Sequence, residues 1–152
     1  VVSVAIAPDG TWLASTGHDK TVRIWDLATG TCTATLTGHT GIVVSVAIAP
    51  DGTWLASTGH DKTVRIWDRA TGTCTTTLTA HTDWVWSVAI APDGTWLATT
   101  SHDRTVRIWA VPGHRTVALA RVEAALTSCS WGPAGELAVG SNRGLFLFVL
   151  LT

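Results

Sequence analysis

The chain repeats itself. Residues 1–42 and 43–84 differ only at Leu27/Arg69, Ala34/Thr76, Gly38/Ala80, Gly41/Asp83 and Ile42/Trp84. A third copy runs from Val85 to Arg121 and is intact through Trp109; a degenerate fourth fills 122–152, where Pro133 and Gly135 fall where Pro8 and Gly10 fall. A fixed period of this length marks one supersecondary unit that cannot bury its apolar face alone and must stack on its neighbours. The chain therefore reads as one domain or part-domain, 1–152, built of units 1–42, 43–84, 85–121 and 122–152.

Each unit reads as four strands. VVSVAIA alternates Val2, Val4 and Ile6 with Ser3, Ala5 and Ala7, and APDG turns the chain. TWLAS, TVRIWD and TCTATL follow, separated by GHDK and LATG. These are β-branched runs bounded by turn residues, and none has a helical period. Neither face of the first strand carries a charge, so both faces are expected to be covered, which requires sheets stacked face to face. That also accounts for 46% hydrophobic residues and a mean hydropathy of +0.30. The expected fold is all-β: sheets of four antiparallel strands, three of them complete, plus a degenerate fourth lacking its outer strand, fifteen strands in all.

The period, the Gly38-His39 pair before the first strand of a copy, the turn Asp61 and the strand ending Trp67-Asp68 resemble the WD-repeat β-propeller family. The resemblance covers the whole chain, strongly through Trp109. It implies an incomplete ring of blades, because family members usually have seven or eight. It also implies a structural tetrad in each blade: a His before the innermost strand, a Ser or Thr on the second strand, the turn Asp, and the Trp of the third. By position these are His39, Ser57, Asp61 and Trp67 in the second copy and His81, Thr99, Asp103 and Trp109 in the third. The first copy has Ser15, Asp19 and Trp25, with its histidine falling before Val1; the fourth has Val139 and Phe148 instead of Ser and Trp. Donor and acceptor chemistry permits such a chain, since indole N–H, hydroxyl, imidazole and carboxylate can pair in series.

Ser, His and Asp are also the residue types of acyl transfer, so hydrolysis is the rival reading. It is weakened because the set recurs, Thr99 replaces Ser57, and the hydroxyl sits mid-strand rather than on an exposed turn. His18, His60 and His102 precede the turn Asp in each copy and are expected to point at one rim, in solvent or against a partner. No metal site is expected there, because face-packed sheets space equivalent residues by about 10 Å, against roughly 2.0–2.1 Å from a shared Zn²⁺ to each nitrogen. No cofactor is expected, and no P-loop is present.

Partner docking in this family uses the loops before the innermost strands and the turns between second and third strands. That resemblance points to His18, Ile42, Val44, His60, Asp83, Trp84, Trp86 and His102, where three of the five differences between the first two copies also fall. Trp84 and Trp86 are the candidate hot spots. Trp12, Trp54 and Trp96 read as packing between blades, and Arg23, Arg65 and Arg107 as rim charges with packed stems. The expected function is a non-enzymatic protein-interaction scaffold or sensor, the alternative a propeller that binds a small ligand or glycan through its tryptophans.

With a net charge of −1 and its ten basic residues scattered, the chain reads as having no nucleic-acid or membrane footprint. The longest apolar run, 145–151, is far short of the roughly 20 residues of a spanning helix. Cys32, Cys74 and Cys129 form neither a CxxC pair nor an even set, which suits unpaired thiols in the cytoplasm. A Val at position 1 and the lack of Met suggest a lost initiator or a piece of something larger. The open ends suggest that two copies close an eight-bladed ring, or that a longer chain supplies the rest. Such near-identical copies are similar to the C-terminal propellers of bacterial signal-transduction NTPase proteins.

Overall fold

A computed structural model describes residues 1–149; Leu150, Leu151 and Thr152, which end the apolar run, lie outside the described residues. The first sheet is β1 (Ser3–Ile6), β2 (Trp12–Thr16), β3 (Val22–Asp26) and β4 (Cys32–Leu36). The second is β5 (Val43–Ile48), β6 (Trp54–Gly59), β7 (Val64–Asp68) and β8 (Cys74–Leu78). The third is β9 (Val85–Ile90), β10 (Trp96–Ser101), β11 (Thr105–Ala110) and β12 (Thr116–Arg121). Three strands, β13 (Leu126–Trp131), β14 (Glu136–Ser141) and β15 (Gly144–Val149), make the fourth. Each sheet is an antiparallel meander in chain order, and no described segment is helical.

Innermost strands β1, β5, β9 and β13 lie beside one another, so the sheets stack as blades around one side of an axis. The alternation in the first strand explains how. Ala5 and Ala7 of one blade, with Ala14, Val22 and Ile24, receive Val46, Ile48, Leu55 and Trp67 of the next. A small face thus meets a large one, and the same packing recurs between the second and third blades. Serines on the small face add a polar stitch: Val88 N–H donates to Ser45 Oγ (3.3 Å) and Cys129 N–H to Ser87 Oγ (3.2 Å). The Trp131 indole N–H reaches the Ala89 carbonyl at 3.2 Å.

The expectation that both faces are covered fails at the two ends. Val2, Val4 and Ile6 are 43%, 52% and 63% exposed, and Leu145 and Leu147 are 73% and 67% exposed. The physical reason is that each covering face belongs to a neighbouring blade, and an end blade has one neighbour only. An apolar hollow of about 580 Å³ opens between β12 and β15, lined by Trp96, Val117, Leu119, Leu137, Phe148 and Val149.

Candidate functional site

Two layers meet on the rim formed by the loops before the innermost strands and the turns joining second to third strands. The inner layer is the hydrogen-bonded chain. In the second blade Trp67 Nε1–H donates to Ser57 Oγ at 2.8 Å, Ser57 meets His39 Nε2 at 2.8 Å, and His39 Nδ1 meets Asp61 Oδ2 at 2.8 Å. With Asp61 ionised, Nδ1 carries the proton, so Nε2 accepts from the serine hydroxyl and every donor has an acceptor. Asp61 also accepts from the Thr40 N–H (3.0 Å) and the Thr63 hydroxyl (2.8 Å). The third blade repeats the chain through Trp109, Thr99, His81 and Asp103.

Burial alone would raise the Asp61 carboxyl, but the bonds from His39, Thr63 and Thr40 outweigh it and hold the group well below the usual carboxylate range. Asp103, likewise opposed by burial, is lowered to about 2 by Thr105, His81 and the Thr82 N–H. Burial pushes His81 down despite Asp103, with Arg107 adding to the effect. The residues between which a substrate would have to enter are closed: Ser57 and Thr99 are completely buried.

In the first blade only part of the set comes together. Trp25 Nε1–H donates to Ser15 Oγ at 2.8 Å, but Asp19 pairs with Arg23 (2.9 Å) and the Thr21 hydroxyl. Without an imidazole to bind, the carboxylate turns to the guanidinium four residues on. In the fourth blade Phe148 opposes Leu137 as Trp25 opposes Leu13, and Val139 is buried, so apolar packing occupies the same register.

The outer layer is aromatic. Trp84, 40% exposed, stacks on His60 with centroids 4.2 Å apart and planes at 10°, and on His102 at 5.7 Å and 27°. Trp86 meets His60 edge-on at 5.2 Å and lies 5.2 Å from His102. His60 Nε2 and Trp86 Nε1 are buried and have no hydrogen-bond partner among the described residues. Burial, with His102 and His18 nearby, holds His60 below the ordinary imidazole value, so its ring stacks uncharged at neutral pH.

Two expectations about these side chains need correction. Val44 is 8% exposed, at the bulge where the register with β6 shifts between Val43 and Ser45, so it offers a partner almost no surface. His60 is not a free rim side chain, because the indoles of the next blade cover it; His18 alone of the three is exposed. Arg65 and Arg107 lie at this rim half-buried, and the Arg65 guanidinium packs at Gly38, where an added Cβ would lie 2.8 Å from it. Trp12, Trp54 and Trp96 do lie in the packed cores between blades, and Arg69 sits 4.6 Å over the Trp12 ring. Ile42 and Asp83 are half-buried on the rim, and the Asp83 carboxylate accepts the Trp84 N–H at 2.8 Å.

The basic residues are not scattered either. This rim carries Lys20, Lys62, Arg104 and Arg143 in its turns, with Arg23, Arg65, Arg107 and Arg121 at the strand ends beside them. Against these eight stand five acids: Asp19, Asp61, Asp83, Asp103 and Glu123. The opposite rim holds Arg69 and Arg115 against Asp9, Asp26, Asp51, Asp68, Asp93 and Glu136. Formal charge is therefore +3 on one rim and −4 on the other, which the net −1 conceals.

The chain matches the family model described as the IFT122 first β-propeller over residues 1–148. It is also similar to a ribosome biogenesis protein erb1 of Botryotinia fuckeliana, 63% identical over 30 residues, covering 20% of this chain and 4% of that protein. A BOP1 homolog of Monosiga brevicollis is 43% identical over 37 residues (24% and 5%). The nuclear distribution protein PAC1 of Scheffersomyces stipitis is 43% identical over 49 residues (28% and 9%). The chain thus spans under a tenth of each of these relatives. They are eukaryotic and lend no support to a bacterial source. A match across nearly the whole chain, on a sheet order and blade packing of this kind, shows that the chain belongs to the WD-repeat β-propeller family.

Proposed function

We propose that this chain is a non-catalytic docking module that presents the aromatic rim to another protein. The carrying observation is Trp84: a large exposed apolar side chain, held by two imidazoles, at a position where the copies diverge. A preorganised aromatic loses little freedom on binding and suits a hot spot. The buried serine chain acts as structure, since its hydroxyl has both partners and no access. The glycan reading lacks an exposed row of tryptophans, because Trp12, Trp54 and Trp96 are packed between blades. Unpaired Cys32, Cys74 and Cys129 support a cytoplasmic setting.

A photo-crosslinking residue placed at position 84, compared with one at Thr31 on the opposite rim, tests the docking face. The expected result is a protein adduct from 84 alone, whose purified component loses at least about tenfold affinity on Trp84→Ala. Equal adducts from both rims, or unchanged affinity, would contradict it.

The two exposed end faces support a second reading, that further blades cover them, from a second copy closing an eight-bladed ring or from a longer chain. Val2, Val4 and Ile6 form the large face that elsewhere meets a small one. Light scattering separates the sources: twice the 16.0 kDa chain mass supports the closed pair, and a monomer excludes it.

A further inference from the structure

The polarity of charge across the molecule goes beyond the docking role and rests on it. The turn sequence His-Asp-Lys/Arg is laid down the same way in three blades, with Lys20, Lys62 and Arg104 all in the left-handed backbone region at φ of 66–67° and all exposed. Two of the three aspartates beside them do not share that exposure. Asp61 and Asp103 face inward to His39 and His81, with side chains 5% exposed, and Asp19 is paired with Arg23. Each repeat therefore sends its cation outward and commits its carboxylate to the protein. Arg143 places a fourth exposed cation in the corresponding turn of the last blade.

We propose that this rim takes an acidic segment of a partner protein, one that carries an apolar residue for Trp84 among its carboxylates. Trp84 supplies the apolar anchor, and Lys20, Lys62, Arg104 and Arg143, in the corresponding turns of the four blades, supply complementary charge on the same rim. Trp86 Nε1 and His60 Nε2 lie beneath Trp84 in the same cluster, buried, so the exposed indole face of Trp84 is what the cluster offers a partner. A rim with an exposed aromatic anchor and spare cations calls for an anionic segment that carries an apolar residue. A nucleic-acid duplex fits less well, because its phosphate backbone presents no apolar side chain to Trp84.

The test uses a short fluorescein-labelled peptide of alternating Glu and Leu, with Gln-Leu and Lys-Leu counterparts, read by anisotropy. The Glu-Leu peptide should bind, lose about tenfold in affinity between low and physiological salt, and exceed the Gln-Leu peptide by a similar factor. Lys62→Gln and Arg104→Gln, both exposed and checked by urea midpoint, should each weaken it about two- to fivefold, while Arg69→Gln on the other rim should not. Equal binding of all three peptides, abolished by Trp84→Ala, would overturn the acidic preference yet leave the docking face standing. No binding by any peptide also overturns the inference, and the docking face is then judged by crosslinking alone. Tighter binding of a labelled DNA duplex would overturn it in favour of phosphate. So would salt-sensitive self-association of the +3 rim with the −4 rim of another copy, seen by light scattering.

Discussion

Replacing Ser57 by Ala asks how much the buried chain contributes, and the protein carries its own control. Residues 54–59 and 12–17 are the same six amino acids, so Ser57→Ala and Ser15→Ala remove the same atom from the same local sequence. The surroundings differ. Ser57→Ala orphans two groups, the Trp67 indole N–H and His39 Nε2, in residues only 1% and 6% exposed. Each orphan costs about 1–3 kcal/mol, so the loss should be about 2–6 kcal/mol. Ser15→Ala orphans only the indole of Trp25, which is half-buried and has no histidine beyond it. Water can replace that bond, and the loss should be about 0.5–1.5 kcal/mol. Urea unfolding followed by tryptophan fluorescence measures both, with m-values compared so that altered unfolded states are recognised. Thr99→Val, nearly isosteric, should match Ser57→Ala. Equal losses at positions 15 and 57 would refute the idea that histidine and carboxylate are what bury and fix the hydroxyl.

Acid should unfold the chain through the same groups. Asp61 and Asp103 bind fewer protons folded than unfolded below the ordinary carboxylate value of 3.8, so their stabilisation is complete above about pH 5 and is lost as pH falls toward 2. Asp103 alone should account for about 2 kcal/mol, and Asp103→Asn should flatten the urea midpoint against pH. His81, held down by burial, adds loss of the same sign that begins nearer pH 6. Among the thiols, exposed Cys32 should react first with iodoacetamide, while burial, which pushes Cys129 up to about 11, should protect it until unfolding. Peptide mapping after timed alkylation decides the order.

Much of this molecule is legible in its sequence, because a repeat states its own boundaries. The period and the turn residues lead to the strand order of all four sheets, and the Ser, His, Asp and Trp positions come together where hydrogen-bond chemistry places them in the second and third blades. What escapes is what depends on contact between blades. Trp84 meets His60 only because one blade overlaps the next, an offset no single repeat encodes. Val44 looks like a rim residue by its nearness to the loop, yet it is buried at a bulge between Val43 and Ser45 that simple strand alternation does not reveal. The charge polarity is hidden because net charge sums over both rims, although the cue was present: Lys or Arg follows each His-Asp turn, and Asp occupies the turns at the other end. Asp19 misleads for a different reason, since an intact motif does not guarantee its partner.

The account holds that shared residues build the blades and that divergent ones bind. The most direct measurement gives the third blade the rim of the second: Asp83→Gly, Trp84→Ile and Trp86→Val together, the residues found at 41, 42 and 44. The preceding blade already folds with these residues. The account predicts an unchanged sheet spectrum, an unfolding free energy from urea titration within about 1 kcal/mol of the parent, and loss of at least about tenfold in affinity for the crosslinked partner. Full binding by this variant would contradict it, because the rim that differs between copies would then not be the rim that docks.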